Sequence, residues 1–448
     1  MPFQRATSNN PHAAIGIDFG TTNSSVALAT TSPNAGVQLV SFSTPNGGTE
    51  SYRSILYLQQ LKEGTRSRLH SSTGPEAIEA YLRADHSGRL IQSLKSWLTS
   101  RTLTGTEIFG RRYTLENLIA RILGDLRQHA EKAFGFAIRH AVVGRPVRFV
   151  GAETAEDDAF GEARLRDAFE HAGFEHVDFE LEPVGAAYHY EATLDHDELV
   201  LIGDFGGGTS DFSLLRVGPG IRKRGRTPAD LLGNSGVGLA GDAFDAKIVR
   251  KLVSPRLGLG TMEQSVGKVL PAVPNWVYVK LEHWHHLSFL RTRPVVEMLN
   301  GARTRAFEPE KIEALQTLID EDLGYQLHRA VGRVKAELSS AKTAEFQFRD
   351  GTLDIRATVQ RREFESWIAE ELAAIESSVD GLLATSGVAA GDVDRVFLTG
   401  GSSFVPAVRR IFETRFGADR VVTGNEFTSV ARGLALRAAE SMSETIVR

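Results

Sequence analysis

The sequence predicts an α/β protein built as two similar lobes around a central cleft. Three observations carry this. Ile15 to Leu28 read "IGIDFGTTNSSVAL" and Leu201 to Leu215 read "LIGDFGGGTSDFSLL". Both run from an apolar stretch through an aspartate and a glycine-rich turn with hydroxyls to a second apolar stretch. Each is followed by its own α/β material. The 448 residues also exceed what one hydrophobic core usually supports, so two lobes are expected.

The elements follow in order. "AAIGID" and "SSVALAT" are short strands flanking the turn Gly20, Thr21 and Thr22, which makes a hairpin. A polar region follows, then "YTLENLIARILGDLRQHAEKAFG" with apolar residues at helical spacing. "HAVVGRPV" reads as a buried strand, and "FGEARLRDAFEHAGF" as a helix closed by Gly173. "FELEPVGAAYHYEA" is a strand running into a helix. "ELVLIGD" and "DFSLLRV" form the second hairpin around Gly206, Gly207, Gly208 and Thr209. Residues 221–350 read as an insertion of mixed character. "REFESWIAEELAAIESSVDGLLATSG" is an amphipathic helix, "VDRVFLTGGSSFVPAVRRIFETRFG" is strand, Gly-Gly turn and helix, and "SVARGLALRAAE" is a closing helix. The two halves repeat one plan of hairpin, insertion, strand and helices, a duplication of architecture rather than of sequence. The expected lobes are 14–195, with an insertion at about 42–112, and 196–440, with an insertion at about 235–350.

Composition narrows the function. The chain is 42% hydrophobic and 24% charged, with net charge −5, which points to neither nucleic acid nor an anionic membrane surface. It has no cysteine, which excludes disulfides, thiolate metal sites and cysteine nucleophiles. The opening "MPFQRATSNNPHAA" lacks the apolar run of a signal peptide, and no window approaches the roughly 20 apolar residues of a membrane span. A cytoplasmic monomer is expected.

A glycine turn lets backbone N–H groups approach a ligand closely, and a nest of such groups binds anions. Two turns on facing lobes would clamp a polyphosphate from both sides and draw the lobes together.

These residues identify a resemblance. "IGIDFGTTNSSVAL", "LIGDFGGGTSDFSLL" and "VFLTGGSSFVPAVRRIF" resemble the two phosphate motifs and the adenosine motif of the actin, sugar-kinase and seventy-kilodalton heat-shock superfamily. "LEPVGAAYHY", "GLAGDAFD" and "IQSLKSWL" resemble the heat-shock (DnaK-like) branch, from about residue 14 to 440. The chain is most similar to the short YegD-type members, which have the ATPase half alone. The resemblance implies an actin-like ATPase of duplicated ribonuclease-H-like domains, with ATP or ADP and Mg²⁺ in the cleft and protein partners. It implies that Asp18 and Asp204 hold Mg²⁺, largely through water. Gly20, Thr21, Thr22, Gly206, Gly207, Gly208 and Thr209 would line the phosphates. Lys95 would contact the γ-phosphate and the attacking water, and Glu182 would orient that water with Asp211 nearby. Gly241 and Asp242 would lie beside the nucleotide. Lys335, Ser339, Gly400, Gly401 and Ser402 would border the ribose and adenine. These residue types suit phosphoryl transfer, which needs positioning and charge stabilisation more than covalent chemistry.

The sequence also departs from that pattern. Where two arginines would sandwich the adenine stand Ala336 and Phe404, and Gly332 replaces a usual glutamate. Phe404 is either a stacking face for the base or a packing residue. Pro146 matches a proline associated with interdomain signalling, but its arginine partner cannot be placed. After the last helix comes "AAESMSETIVR", so no peptide-binding domain is expected in these residues. Residues 250–330 are the least family-like. His283, His285 and His286 read as surface and packing residues rather than a metal site. The basic run "IRKRGR" (Arg222, Lys223, Arg224, Arg226) reads as a solvated loop, with a docking surface as the rival. The expected activity is slow ATP hydrolysis in a chaperone-like protein. The alternatives are a small-molecule kinase, which needs a base for a substrate hydroxyl, and a nucleotide-dependent scaffold or filament, which ATP-dependent sedimentation would reveal.

Overall fold

The computed structural model describes residues 14–29, 36–44, 47–63, 66–83, 88–191, 193–265, 268–283, 290–423 and 429–447. The chain forms two compact units. Unit 1 comprises Met1–Ala240, Ile375–Ser403 and Arg410–Arg448. Unit 2 comprises Gly241–Ala374 and Phe404–Arg409.

Unit 1 contains both glycine-turn hairpins. In the first, β1 (Ala14–Phe19) pairs antiparallel with β2 (Asn23–Ala29), setting Asp18 opposite Ser25. β3 (Val37–Leu39) extends the sheet from β2, and β4 (His140–Arg145) and β5 (His176–Leu181) extend it parallel to β1. In the second, β6 (Glu198–Phe205) pairs antiparallel with β7 (Ser210–Val217), setting Asp204 opposite Asp211. β8 (Leu231–Val237) adds to β7, while β9 (Arg395–Thr399) and β10 (Val421–Thr423) run parallel beyond β6. The strand orders are β5-β4-β1-β2-β3 and β8-β7-β6-β9-β10. Each sheet therefore has the same plan, three parallel strands continued by two antiparallel ones. The duplication predicted from the two turns is present in the topology.

Local signals set the helices. α1 (Leu115–Phe134) starts at a capping box between Thr114 and Asn117 and stops at Gly135, whose φ of 82° suits glycine. α2 (Ala155–His171) starts at a second box between Thr154 and Asp157. α3 (Glu182–Glu191) follows β5 directly. α4 (Ser429–Val447), read as closing the second half, packs on the first sheet instead. Ala27, Ala29, Ala431 and Ala435 form the contact. A Cβ on Gly16 would stand 2.2 Å from the Ala435 nitrogen, so only glycine permits this approach. A second cluster joins Val142 of β4, Val200 and Ile202 of β6, Phe397 of β9, Ala186 of α3 and Leu434 of α4. The two sheets thus share one core through α3 and α4.

Unit 2 is built of hairpins and helices. Strand Thr343–Asp350 alternates, burying Ala344, Phe346 and Phe348. The long helix expected after residue 361 is two, Arg361–Trp367 and Ala369–Ser386. Ile368 leaves helical geometry at φ −97° and ψ 14° with its side chain fully buried, while Leu372 N–H still bonds Ile368 O. One buried residue outside helical geometry divides an otherwise continuous helical pattern.

The first four residues of the basic run "IRKRGR" lie on a short helix, Pro219–Arg224, rather than a loop, and its three arginines close on their own unit. Arg222 donates to Glu191 O, Arg226 pairs with the Glu191 carboxylate at 3.0 Å, and Arg224 pairs with Asp230. His283 is half-buried, whereas His285 and His286 lie outside the described residues. Among the described residues, no helix is long and apolar enough to cross a membrane.

Candidate functional site

The two glycine turns lie at corresponding ends of the two sheets. A Cβ on Gly20 would meet Asn23 O at 2.2 Å, so the tight first turn requires glycine there. Ser54 braces it, donating its hydroxyl to Gly20 O at 2.7 Å and its N–H to Thr22 O at 3.0 Å. The second turn is closed by Gly206 N–H to Thr209 O at 2.9 Å. At Gly208 a Cβ would lie 3.8 Å from Ser96 Oγ and 4.0 Å from Thr21 Oγ1. The two turns therefore face each other, with the segment carrying Lys95 beside them. The third glycine turn packs on the end of β6. Gly400 has φ 86°, and its Cβ would meet Phe205 O at 2.1 Å. Gly401 and Ser402 continue it as a single 3₁₀ turn.

Lys95 sits on the 3₁₀ turn Leu94–Trp97, entered through Ser93 in the left-handed region at φ 55°. Its Nζ lies 2.5 Å from Glu182 Oε1, at the start of α3. Both side chains are buried, at 7% and 10% exposure. Gly144 of β4 makes room for this, since a Cβ there would stand 3.0 Å from Glu182 Cγ.

Three more buried carboxylates share the environment. Burial, then repulsion from Glu182, pushes Asp18 up to about 7, with Lys95 pulling it down. Burial and the charges of Glu182, Asp18 and Asp211 push Asp204 well above the carboxylate range. Asp211 rises to about 7 from burial and Glu182, against bonds from Thr209 and the Arg148 backbone N–H. Its Oδ1 is buried without a hydrogen-bond partner. Four carboxylates facing one lysine leave excess buried negative charge, the condition that a divalent cation relieves. Among the described residues no three acidic or histidine side chains are grouped to hold a metal directly. The carboxylate oxygens of Asp18 and Asp204 are the donor chemistry that Mg²⁺ takes, usually together with several waters.

The structure thus brings together Asp18, Thr21, Lys95, Glu182, Asp204, Gly208, Thr209 and Asp211 in unit 1. Unit 2 holds the remaining candidates. Lys335 donates to Gly241 O at 3.1 Å and pairs with Asp245 at 2.8 Å, while Ser339 turns its hydroxyl back to Lys335 O. Asp242 lies in the first turn of helix Gly241–Ile248. Phe404 is 44% exposed and Ala336 is exposed, so neither is a core packing residue. Sequence reasoning did not single out Ser54, Ser96 or Gly144. Only Gly144 carried a signal, a glycine ending an apolar strand.

A family model described as "Hsp70 protein" matches residues 88–256 and 307–445. The chain belongs to the Hsp70 family. It is 27% identical over 436 residues to a "Chaperone protein DnaK" of Thermosipho africanus, covering 96% of this chain and 60% of that protein. It is 25% identical over 441 residues to a "Chaperone protein DnaK" of Deinococcus proteolyticus, covering 95% of this chain and 59% of that protein. The chain therefore spans about 60% of the length of these curated relatives. The duplicated sheet plan is that of an Hsp70/actin-like ATPase fold. The Hsp70 match leaves out residues 1–87, which hold Asp18 and the first glycine turn, and residues 257–306, within the 250–330 stretch whose sequence is least family-like.

Proposed function

We propose that this chain binds Mg·ATP and hydrolyses it slowly, as a chaperone-like ATPase of the Hsp70 family. The triphosphate lies between the turn Gly20–Thr22 and the turn Gly206–Thr209, whose backbone N–H groups neutralise its charge. The observation that carries this reading is the buried Lys95–Glu182 pair, set among Asp18, Asp204 and Asp211 beside two facing glycine turns. Family membership and the curated relatives named Chaperone protein DnaK support it. The complete lack of cysteine accords with a reducing, cytoplasmic setting.

The residues divide the work. Asp18 and Asp204 would hold the hydrated Mg²⁺, which supplies neutralising charge to the phosphates. Lys95 stabilises charge developing on the γ-phosphoryl oxygens. Glu182 orients the ammonium and, with Asp211, the attacking water. By the family pattern Lys335, Ser339, Gly400, Gly401 and Ser402 would border the nucleoside, and Phe404 would offer the base an aromatic face where that pattern has arginine. Single-turnover hydrolysis of radiolabelled ATP by the parent and Lys95→Ala tests the reading. Full hydrolysis by the variant refutes it.

A further inference from the structure

Arg164 of α2 is a buried arginine, at 7% exposure, that the family motifs do not use. Its Nε donates to the Glu116 carboxylate of α1. Its Nη1 donates to Trp97 O and Leu98 O, each at 3.3 Å, and to Ser100 O at 3.1 Å. Nη2 donates to Leu103 O at 3.1 Å. Four carbonyls of one seven-residue segment converge on one guanidinium. Between the 3₁₀ turn and Thr106 that segment has no helix or strand of its own to satisfy them.

The segment begins where the Lys95 turn ends. Ser93 enters that turn in a left-handed conformation disfavoured for a residue with a Cβ, and such strain persists only where surrounding contacts hold it. On the far side Thr99 also donates to Val150 O at 2.6 Å, and Val150 contacts the Gly208 position of the second phosphate turn. A buried ion pair seldom stabilises more than an apolar replacement of the same volume, so this arrangement is better suited to fixing geometry. The flat fork of arginine spans several carbonyls at once, whereas a lysine is a single flexible point charge.

We propose that Arg164, held by Glu116, is a positioning residue that latches the 97–103 segment and so fixes Lys95 beside the two phosphate turns. The inference rests on the reading of Lys95 as the hydrolytic lysine. It extends the site to two residues on α1 and α2 that touch neither nucleotide nor Glu182.

The test compares the parent, Arg164→Lys, Glu116→Gln, Lys95→Ala and the Lys95→Ala/Arg164→Lys double variant in single-turnover ATP hydrolysis and ATP binding. Arg164→Lys is expected to slow hydrolysis at least tenfold with ATP affinity within threefold of the parent. Glu116→Gln, the gentler change, is expected to slow it less. In the Lys95→Ala background Arg164→Lys should add no further loss, because both act through one side chain. Parental hydrolysis in Arg164→Lys, or losses that multiply in the double variant, would overturn the inference. Parental hydrolysis in Lys95→Ala would instead sink the reading of Lys95, and the catalytic part of the inference with it. Hydrogen exchange of amides 94–103 is a second readout independent of turnover. It should accelerate at least tenfold in Arg164→Lys, and unchanged exchange there would show that Arg164 holds nothing in place.

Discussion

Lys95 Nζ lies 2.5 Å from Glu182 Oε1, with both side chains buried. The pair joins a short turn of the first sheet's flank to the first residue of α3, across 87 positions of sequence. Replacing Glu182 by Gln keeps the shape and removes the charge that orients the ammonium and the water. Hydrolysis should fall by about a hundredfold, within the usual range for a positioned acid–base group. ATP affinity, measured by calorimetry, should stay within about threefold.

Asp211 supplies a pH test. Burial raises its pKa from 3.8 to about 7. The folded state therefore binds this proton more tightly than the unfolded state. The group's stabilising contribution is complete below about pH 4 and is lost as pH rises through about 7. Urea denaturation of the nucleotide-free protein should show lower stability at pH 8 than at pH 5. Asp211 contributes about 1.4 kcal/mol of that loss per pH unit up to about pH 7, and the raised carboxyls of Asp18 and Asp204 add to it in the same direction. Asp211→Asn should reduce that difference, and Mg·ATP should reduce it in the parent. Equal stability at both pH values in the parent would contradict the buried-charge account.

Much of this was legible in the sequence, and what was not has physical causes. Two aspartate-glycine turns with apolar runs on both sides predicted the paired hairpins, and Gly173, at a φ of 90°, marked the end of the helix that stops at His171. The packing of α4 on β1 was hidden because it depends on Gly16, Ala431 and Ala435 meeting across more than 400 residues, and small residues carry no periodic signal of their partner. The break at Ile368 was hidden because the helical pattern continues through it on both sides. Lys95, Glu182 and the aspartates were found through motif resemblance. Arg164 was not, since one arginine in an amphipathic helix looks like any solvated charge until the fold shows it buried.

Arg226 and Glu191 test the reading of the basic run as internal structure. Glu191 is 2% exposed and accepts both Arg226 and the Gly218 N–H. The Arg226 guanidinium also lies over the Tyr188 ring at 4.9 Å. Arg226→Ala strands a buried carboxylate and should cost about 3 kcal/mol in urea denaturation. Adding Glu191→Gln should recover most of that loss. A loss below about 0.5 kcal/mol for Arg226→Ala would mean the cluster is a solvated surface.

Phe404 tests base recognition. At 44% exposure its truncation should leave stability within about 0.5 kcal/mol. Loss of one stacking contact, about 1.4 kcal/mol, should weaken ATP and GTP alike by about tenfold, because an aromatic face does not distinguish purines by hydrogen bonding. Calorimetry with both nucleotides decides it, and unchanged affinities would remove Phe404 from the base site.

The central claim is that Lys95, held by Glu182 between two phosphate turns, serves ATP hydrolysis. Single-turnover hydrolysis by Lys95→Ala, started from a pre-formed Mg·ATP complex so that binding and chemistry are read separately, tests it most directly. The account predicts ATP affinity within about threefold of the parent and a hydrolytic step at least about a hundredfold slower. Hydrolysis at the parental rate from the same complex would contradict it.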